Sequence, residues 1–431
     1  MEPATTKKFE SLFAIPLRNG LTRPKAVRGL GIRMVNMGEI FSYERIGNIE
    51  MDRVLLSEKE ASSFLLEPGD LLFARQSLVW EGAGKCSLFN GGLERATFES
   101  HLIRARLNRE IADSGFYFYF FKSSRGRKTI ESIVEQVAAA GIRGSDLAQL
   151  EVPYLPIAQQ RAIARVLGAL DDKIELNRQM SRTLEELASS LFRSWFVDFD
   201  PVAAKAAGRK PAHLRPDLAA LFPAHWQDSA LGPIPHGWRA RPVTEVVAFN
   251  PTRRLAKGKA APYLDMQSVP TSSALPANWA IRSHGSGMKF QNGDTLMARI
   301  TPCLENGKTA FVNALADDEV GWGSTEFIVM RPLAPLPLEY GYFLARSDDF
   351  RAHAIANMTG SSGRQRVAGN CFEQFLIAEP TKEVAEAFGS IVAPFMRMMK
   401  ANVEESRTLA ALRDTLLPKL LSGELRVKRL K

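Results

Sequence analysis

Cysteine is scarce in this chain. Only Cys86, Cys303 and Cys371 occur among 431 residues, far apart and odd in number. That argues against a disulfide framework and fits a reducing compartment. The six histidines form no H-x-x-x-H pair and no C-x-x-C occurs, so a zinc site is not expected. Gly307-Lys308-Thr309 resembles the tail of a phosphate-binding loop, but Pro302 stands where that loop needs glycine. There is no G-x-S-x-G elbow, and Gly285-Ser286-Gly287 reads as a loop. An amino-methyltransferase would hold its target nitrogen with an Asn/Asp-Pro-Pro-aromatic tetrad, which is missing. The motifs of a self-sufficient enzyme are therefore not found. No apolar run approaches the roughly 20 residues that span a bilayer. Glu2, Lys7, Lys8, Glu10 and Arg18 interrupt any signal-peptide core, so a cytoplasmic protein is expected.

What is present is ordinary in bulk and unusual in order. Hydrophobic residues make up 45% and charged residues 24%, as in soluble globular proteins. The net charge of +9 leans mildly toward a polyanionic partner. The order is a repetition. Asn177, Ser181, Arg182, Thr183 and Leu184 read N-x-x-x-S-R-T-L, and Asn402, Ser406, Arg407, Thr408 and Leu409 read the same at an offset of 225. Gly69-Asp70-Leu71-Leu72-Phe73-Ala74-Arg75 returns as Gly293-Asp294-Thr295-Leu296-Met297-Ala298-Arg299 at an offset of 224. The period is that of a domain, not of a solenoid. Such a duplicated chain predicts a pseudo-two-fold object suited to a two-part target.

Residues 1–155 read as a mixed domain of short strands and Gly-rich turns. Residues 156–200 carry a long helix. Its apolar stripe steps by threes and fours through Ile163, Leu167, Leu170, Ile174, Asn177, Ser181, Leu184, Ala188, Leu191 and Trp195. At roughly 1.5 Å per residue the helix would be about 60 Å long. Residues 201–237 form a Pro-rich connector whose aromatics suggest that it wraps on a surface. A second mixed domain spans 238–380. Residues 381–431 repeat the helix stripe and end in a basic tail. In that copy Arg413 departs from the pattern, and Pro394 should kink or restart the helix.

Three further segments carry a resemblance. Leu191-Phe192-Arg193-Ser194-Trp195-Phe196-Val197-Asp198-Phe199-Asp200-Pro201 is similar to the central conserved region of the DNA specificity subunits of type I restriction-modification systems. Leu231-Gly232-Pro233-Ile234-Pro235-His236-Gly237-Trp238 resembles the lead-in to their second recognition domain. Leu412-Arg413-Asp414-Thr415-Leu416-Leu417-Pro418-Lys419-Leu420 through Ser422-Gly423-Glu424-Leu425 resembles their C-terminal signature. The resemblance covers nearly the whole chain. It implies a mixed α/β fold with two tandem target recognition domains, separated by two long helices that pair as an antiparallel coiled coil. It implies a non-catalytic subunit that reads a bipartite site on double-stranded DNA. The implied partners are methylation subunits, two of them, that bind S-adenosylmethionine and methylate adenine. A restriction subunit using ATP and Mg would join for translocation and cleavage. The competing readings are a pseudo-symmetric coiled-coil scaffold that reads no DNA, and a stand-alone nuclease or methyltransferase.

Candidate residues follow from repetition and chemistry. Arg75 and Arg299 close the same element in both halves, and Lys85 and Lys308 each follow a glycine. Arg143 lies in one basic loop before a long helix. Arg364, Gln365 and Arg366 lie in the other. Arg and Gln can read base edges bidentately and Lys can neutralise phosphate. Arg75 and Arg299 could instead pair with Asp70 and Asp294 within the turn. Asn177, Ser181, Asn402 and Ser406 could fix helix register. Trp195, Phe196, Phe199 and Trp226 could anchor a methylation subunit, as large aromatics do at interfaces, or could cap the helix pair internally. Helix length should set the unread spacer between half-sites, so that a four-residue insertion near Gln179 lengthens it.

Overall fold

A computed structural model describes residues 5–136, 139–361 and 363–427. Ser362 of the second basic loop and residues 428–431 of the basic tail lie outside them. The chain divides into two compact units. One runs from the N-terminus to Asp172 and takes in Leu409 onward, and the other is Lys173–Thr408.

In the first unit a five-stranded sheet has the order Phe13–Asn19, Leu102–Leu107, Leu71–Ala74, Cys86–Phe89, Arg45–Ile46. The strand of the repeated G-D-x-L-x-A element, Leu71–Ala74, is buried on both faces. Leu71 and Phe73 join the larger core and Leu72 and Ala74 the smaller one. That is why the run shows no apolar-polar alternation. The turn before it holds Gly69 at φ +98°, a conformation that favours glycine. A second sheet, ordered Asp52–Val54, Ile32–Val35, Ala96–Phe98, covers the smaller core. Helix Ser114–Lys122 starts at Asp113, whose carboxylate accepts the Phe116 N–H at 2.9 Å. It buries six successive residues, Phe116 to Phe121, and Phe121 meets Phe73 edge-to-face at 5.1 Å.

The second unit repeats this plan. Its main sheet is ordered Val247–Phe249, Phe327–Pro332, Thr295–Ala298, Thr309–Phe311. Its second sheet is ordered Ala280–Ser283, Ala260–Leu264, Gly321–Gly323, Met288–Phe290. The connector is ordered here. It forms helices Asp200–Ala206 and Pro216–Ala220 and a short pairing of Trp226–Gln227 with Ile234–Pro235, and it inserts Val202, Phe222 and Ile234 into the core.

Each long helix contains 40 residues, Ile157–Phe196 and Lys382–Leu421, and each contributes to both units. The stripe is buried as expected at Ile163, Leu167, Ile174, Asn177, Ala188 and Trp195. Within the second unit the helices run antiparallel: Asn177 meets Glu405 and Ser406, and Ser181 meets Asn402. Within the first unit Asp171 meets Arg413. The expectation that Pro394 restarts the second helix is corrected, since the helix is continuous through it. Pro394 lies on an exposed face, where water can take up the carbonyl that loses its N–H partner. Among the described residues no helix is long and apolar enough to cross a membrane.

Candidate nucleic-acid interface

In each unit the buried central strand runs out of the core directly into an arginine. In the first unit the Arg75 N–H donates to the His101 carbonyl at 2.7 Å, and the Ile142 N–H donates to the Arg75 carbonyl at 2.9 Å. In the second unit the Arg299 N–H donates to the Glu326 carbonyl at 3.0 Å, and the Val367 N–H donates to the Arg299 carbonyl at 2.9 Å. Beyond each arginine the chain joins a hairpin. Gln76–Ser77 pairs with Ala140–Gly141, which pairs with Glu135–Gln136. Ile300 bridges to Arg366, and Arg366–Val367 pairs with Met358–Thr359. A small antiparallel ribbon thus recurs at the same place in both units.

The frame repeats and the tips do not. The hairpin strands are separated by residues 137–139 in the first unit and 360–365 in the second. The second tip carries Arg364, exposed, and Gln365, whose carbonyl accepts the Thr301 N–H at 3.1 Å. Arg366 forms a fork to Glu326, with Nε at 3.0 and 2.9 Å and Nη2 at 2.8 Å, and this carboxylate raises the pKa of the guanidinium. At the base of the first ribbon Arg143 is exposed and reaches Glu135 at 2.7 Å.

Six of the eight predicted DNA-facing residues therefore fall on the ribbons: Arg75 and Arg143 on one, and Arg299, Arg364, Gln365 and Arg366 on the other. Among the described residues Arg75, Arg299 and Arg364 form no ion pair. Arg75 makes one long contact, 3.4 Å, to the Ser100 carbonyl, and the buried Nε of Arg299 has no hydrogen-bond partner. Guanidinium groups in this state retain donors for a ligand. Lys85 and Lys308 occupy matching positions beside the central strand but are engaged. Lys85 Nζ donates to the Phe41 carbonyl at 3.0 Å, and burial pushes its pKa down. Lys308 Nζ donates to the Met266 carbonyl at 2.6 Å.

The alternative pairing of Arg75 and Arg299 with the turn aspartates is corrected. Asp70 is almost fully buried and accepts from Arg106 at 2.7 and 2.8 Å. Asp294 is fully buried and accepts from Arg331 at 2.7 Å and from Arg253 at 2.5–3.0 Å. Arg106 and Arg331 are themselves 225 apart. Extending the repeat as far as Leu102–Leu107 and its counterpart Phe327–Pro332, the strands paired with the repeated one, would have found this pair, which locks the turn that aims the arginine.

The aromatic cluster divides. Trp195 and Phe196 are buried in the core of the second unit, with Trp195 at 4.9 Å from Phe222 and Phe196 at 5.0 Å from Phe388. They are packing residues here, and the partner-anchoring expectation passes to the others. Phe199 is half-buried, 6.1 Å from Trp226 and 5.6 Å from Trp238, and Trp226 is exposed. The four polar seam residues come together as two reciprocal pairs. Asn177 Nδ2 donates to Glu405 at 2.8 Å and to Ser406 at 3.4 Å, and Asn402 Nδ2 donates to Ser181 at 3.2 Å.

Residues 31–186 match the family model for the type I restriction modification DNA specificity domain. The HindI specificity subunit of Haemophilus influenzae is 23% identical over 421 aligned positions, spanning 84% of this chain and 87% of that protein. The MjaIX specificity subunit of Methanocaldococcus jannaschii is 26% identical over 330 positions, 74% of this chain and 70% of that one. The crystal structure of the type I restriction-modification S subunit from M. genitalium shares the fold with a TM-score of 0.55 at 16% identity, covering 97% of this chain and 99% of that one. With the duplicated ribbons and the paired helices, these matches make the chain similar to the type I restriction-modification DNA specificity subunits in sequence and in fold.

Proposed function

We propose that this chain is the non-catalytic specificity subunit of a cytoplasmic type I restriction-modification complex. Each unit reads one half of a bipartite site on double-stranded DNA through its ribbon. The observation that carries this reading is the recurrence of one frame with two different tips. A shared frame presents a reader in the same way twice, and different tips let the two half-sites differ. Phosphate contacts fix position, while Arg75, Arg299, Arg364 and Gln365 have the donors to read guanine or adenine edges in the major groove.

The chemistry belongs to partners in this reading. Methylation subunits bring S-adenosylmethionine to adenine, and a restriction subunit brings ATP and Mg-dependent cleavage. Two methylation subunits are favoured by the repeat itself. Arg182 and Thr183, like Arg407 and Thr408, are identical in both copies yet exposed on the helices, so helix packing does not account for them. Two equivalent surfaces suit two copies of one partner. Trp226 offers an exposed aromatic for such an interface.

The test is a methylome. Replacing residues 1–155 by those of a relative should change one half of the methylated motif and leave the other intact. A change in both halves, or in neither, would count against independent readers. The purified chain alone should transfer no methyl group and cut no DNA, and turnover by the single chain would refute the division of labour.

A further inference from the structure

Residues 251–290 carry six lysines and arginines against one acid, Asp265, which is a net +5 of the chain's +9. Arg253 is consumed by the buried Asp294. Lys257, Lys259, Arg282 and Lys289 gather around the second sheet of the second unit. The sheet register places them. Lys289 stands opposite Trp322, Trp322 opposite Tyr263, and the edge strand Ala280–Ser283 brings Arg282 beside Tyr263. Residues opposite one another in a sheet share a face. On the inner face Leu264 and Phe290 belong to the core, so Lys289, Trp322, Tyr263 and Arg282 line the outer face. The row therefore reads cation, aromatic, aromatic, cation. Trp322 and Tyr263 lie 4.5 Å apart, and the Arg282 guanidinium sits 4.3 Å over the Tyr263 ring.

Two more cations flank the row. The turn bearing Lys257 and Lys259 is tied to it, because the Gly258 N–H donates to the His284 carbonyl and the His284 N–H donates to the Lys259 carbonyl, both at 2.8 Å. Lys257, Lys259 and Arg282 are exposed, and among the described residues none of them, nor Lys289, forms an ion pair. The first unit treats the same sheet differently. On its strand Asp52–Val54, Arg53 pairs with Glu94 at 2.6 Å and Asp52 with Arg28 at 2.8 Å. Unpaired cations on one copy, and paired ones on the other, mark a local specialisation and not a requirement of the fold.

We propose that this outer face is a sequence-independent clamp for the DNA phosphate backbone, and that it makes the second unit the main source of salt-dependent affinity. The inference rests on the DNA reading above and adds a site separate from the ribbon. Stacking on Tyr263 fixes the plane of Arg282 and leaves its N–H groups for phosphate oxygens. Lys257, Lys259 and Lys289 serve as point charges around it. The row contains no Asn or Gln, the side chains that read adenine bidentately, and its one arginine is stacked on Tyr263.

Binding of the full chain to a mixed-sequence duplex, measured across a salt series, tests the proposal. Each lost phosphate contact lowers the slope of log K against log salt by about 0.9. The variant with Lys257→Ala, Lys259→Ala and Arg282→Ala should therefore lose about 2.7 of slope. Its affinity should fall equally for duplexes with and without the target site. Unfolding midpoints run in parallel should fall only slightly, since the three side chains are exposed and only the Arg282 stack on Tyr263 is lost. Lys257→Glu with Lys259→Glu should weaken binding further at low salt. An unchanged slope in a variant of a chain that does bind DNA overturns the clamp and leaves the ribbon reading standing. So does an affinity loss confined to target-bearing duplex, which would assign the row to base reading. So does a loss of methylation-subunit binding with DNA affinity intact, which would assign the face to a protein. Failure of the wild-type complex to bind any duplex would remove the DNA reading and the clamp together.

Discussion

Arg413 and Asp171 form a nearly dry ion pair at 2.6 Å, with 12% and 9% of their side chains exposed. Asp171 also accepts the Tyr119 hydroxyl at 2.6 Å. Burial works against the charge on Arg413, but Asp171 and Asp414 hold its pKa above the ordinary value. At the matching positions of the other copy stand Ala188 and Met396, both buried and apolar. Two solutions to one packing site thus coexist in one protein. Removing one partner of such a pair strands the other, at a cost of about 3–5 kcal/mol. Arg413→Ala should lower the denaturant midpoint accordingly. Arg413→Ala with Asp171→Met copies the apolar solution, and adding Tyr119→Phe removes the hydroxyl left without an acceptor. The triple variant should recover most of the loss. If it is no more stable than Arg413→Ala alone, the two sites are not equivalent. At the ribbon, Arg299→Ala should relax one position of one half-site, by about 1–3 kcal/mol of discrimination if the contact is bidentate. Methylome sequencing would show the change, and uniform weakening across all sequences would place Arg299 on phosphate instead.

The paired helices carry their polar layer at the centre of the repeat. A buried Asn in an apolar seam costs stability and selects register. Asn177→Leu with Asn402→Leu should raise the unfolding midpoint and make the spacer of the methylated motif heterogeneous. A lowered midpoint with an unaltered spacer would mean that the layer only packs. The layer is also sensitive to acid. Asn177 and Lys173 hold the Glu405 carboxyl below the usual glutamate range. A depressed carboxylate pKa contributes stability above the unfolded value and loses it as pH falls through the folded one. Glu405→Gln should therefore flatten the acid limb of stability, which a pH series of unfolding midpoints would detect. These helices were legible because their signal is local: the stripe from Ile163 to Trp195 needs only a 3.6-residue period. The ribbons were not. Glu135–Gln136 and Ala140–Gly141 are two-residue strands, too short to show alternation, and they exist because distant residues such as Gln76 pair with them. The same reason hid the row from Lys289 to Arg282, which is assembled from four strands. It also hid the partner of Asp70, Arg106, which lies 36 residues further on. Trp195 and Phe196 were ambiguous for a different reason: large aromatics suit a core and an interface equally, and only packing against Phe222 and Phe388 decides between them.

At the scale of the whole chain, the two units are joined twice, at residues 172–173 and 408–409, and both junctions lie inside long helices. This changes the expectation for helix length. Four residues inserted near Gln179 add about 6 Å and rotate the following face by about 40°. The second helix, however, keeps its own length. With the insertion between Asn177 and Ser181, the pairs Asn177–Ser406 and Ser181–Asn402 cannot both survive, because Asn402 and Ser406 remain four residues apart. The single insertion should therefore destabilise the protein instead of moving a half-site. A matched insertion after Gln179 and after Glu404 adds the same length to both helices and leaves both pairs intact. That doubly extended chain should recover stability and favour a motif whose unread spacer is longer by about two base pairs, at roughly 3.4 Å per step. Matched two-residue insertions rotate each following face by about 200° and should abolish activity. Methylome sequencing of the three variants decides the matter. Full activity of the single insertion on the original motif would show that the helices do not set the spacer. Equal failure of the single and matched four-residue insertions would show that helix pairing is not what the insertion disturbs.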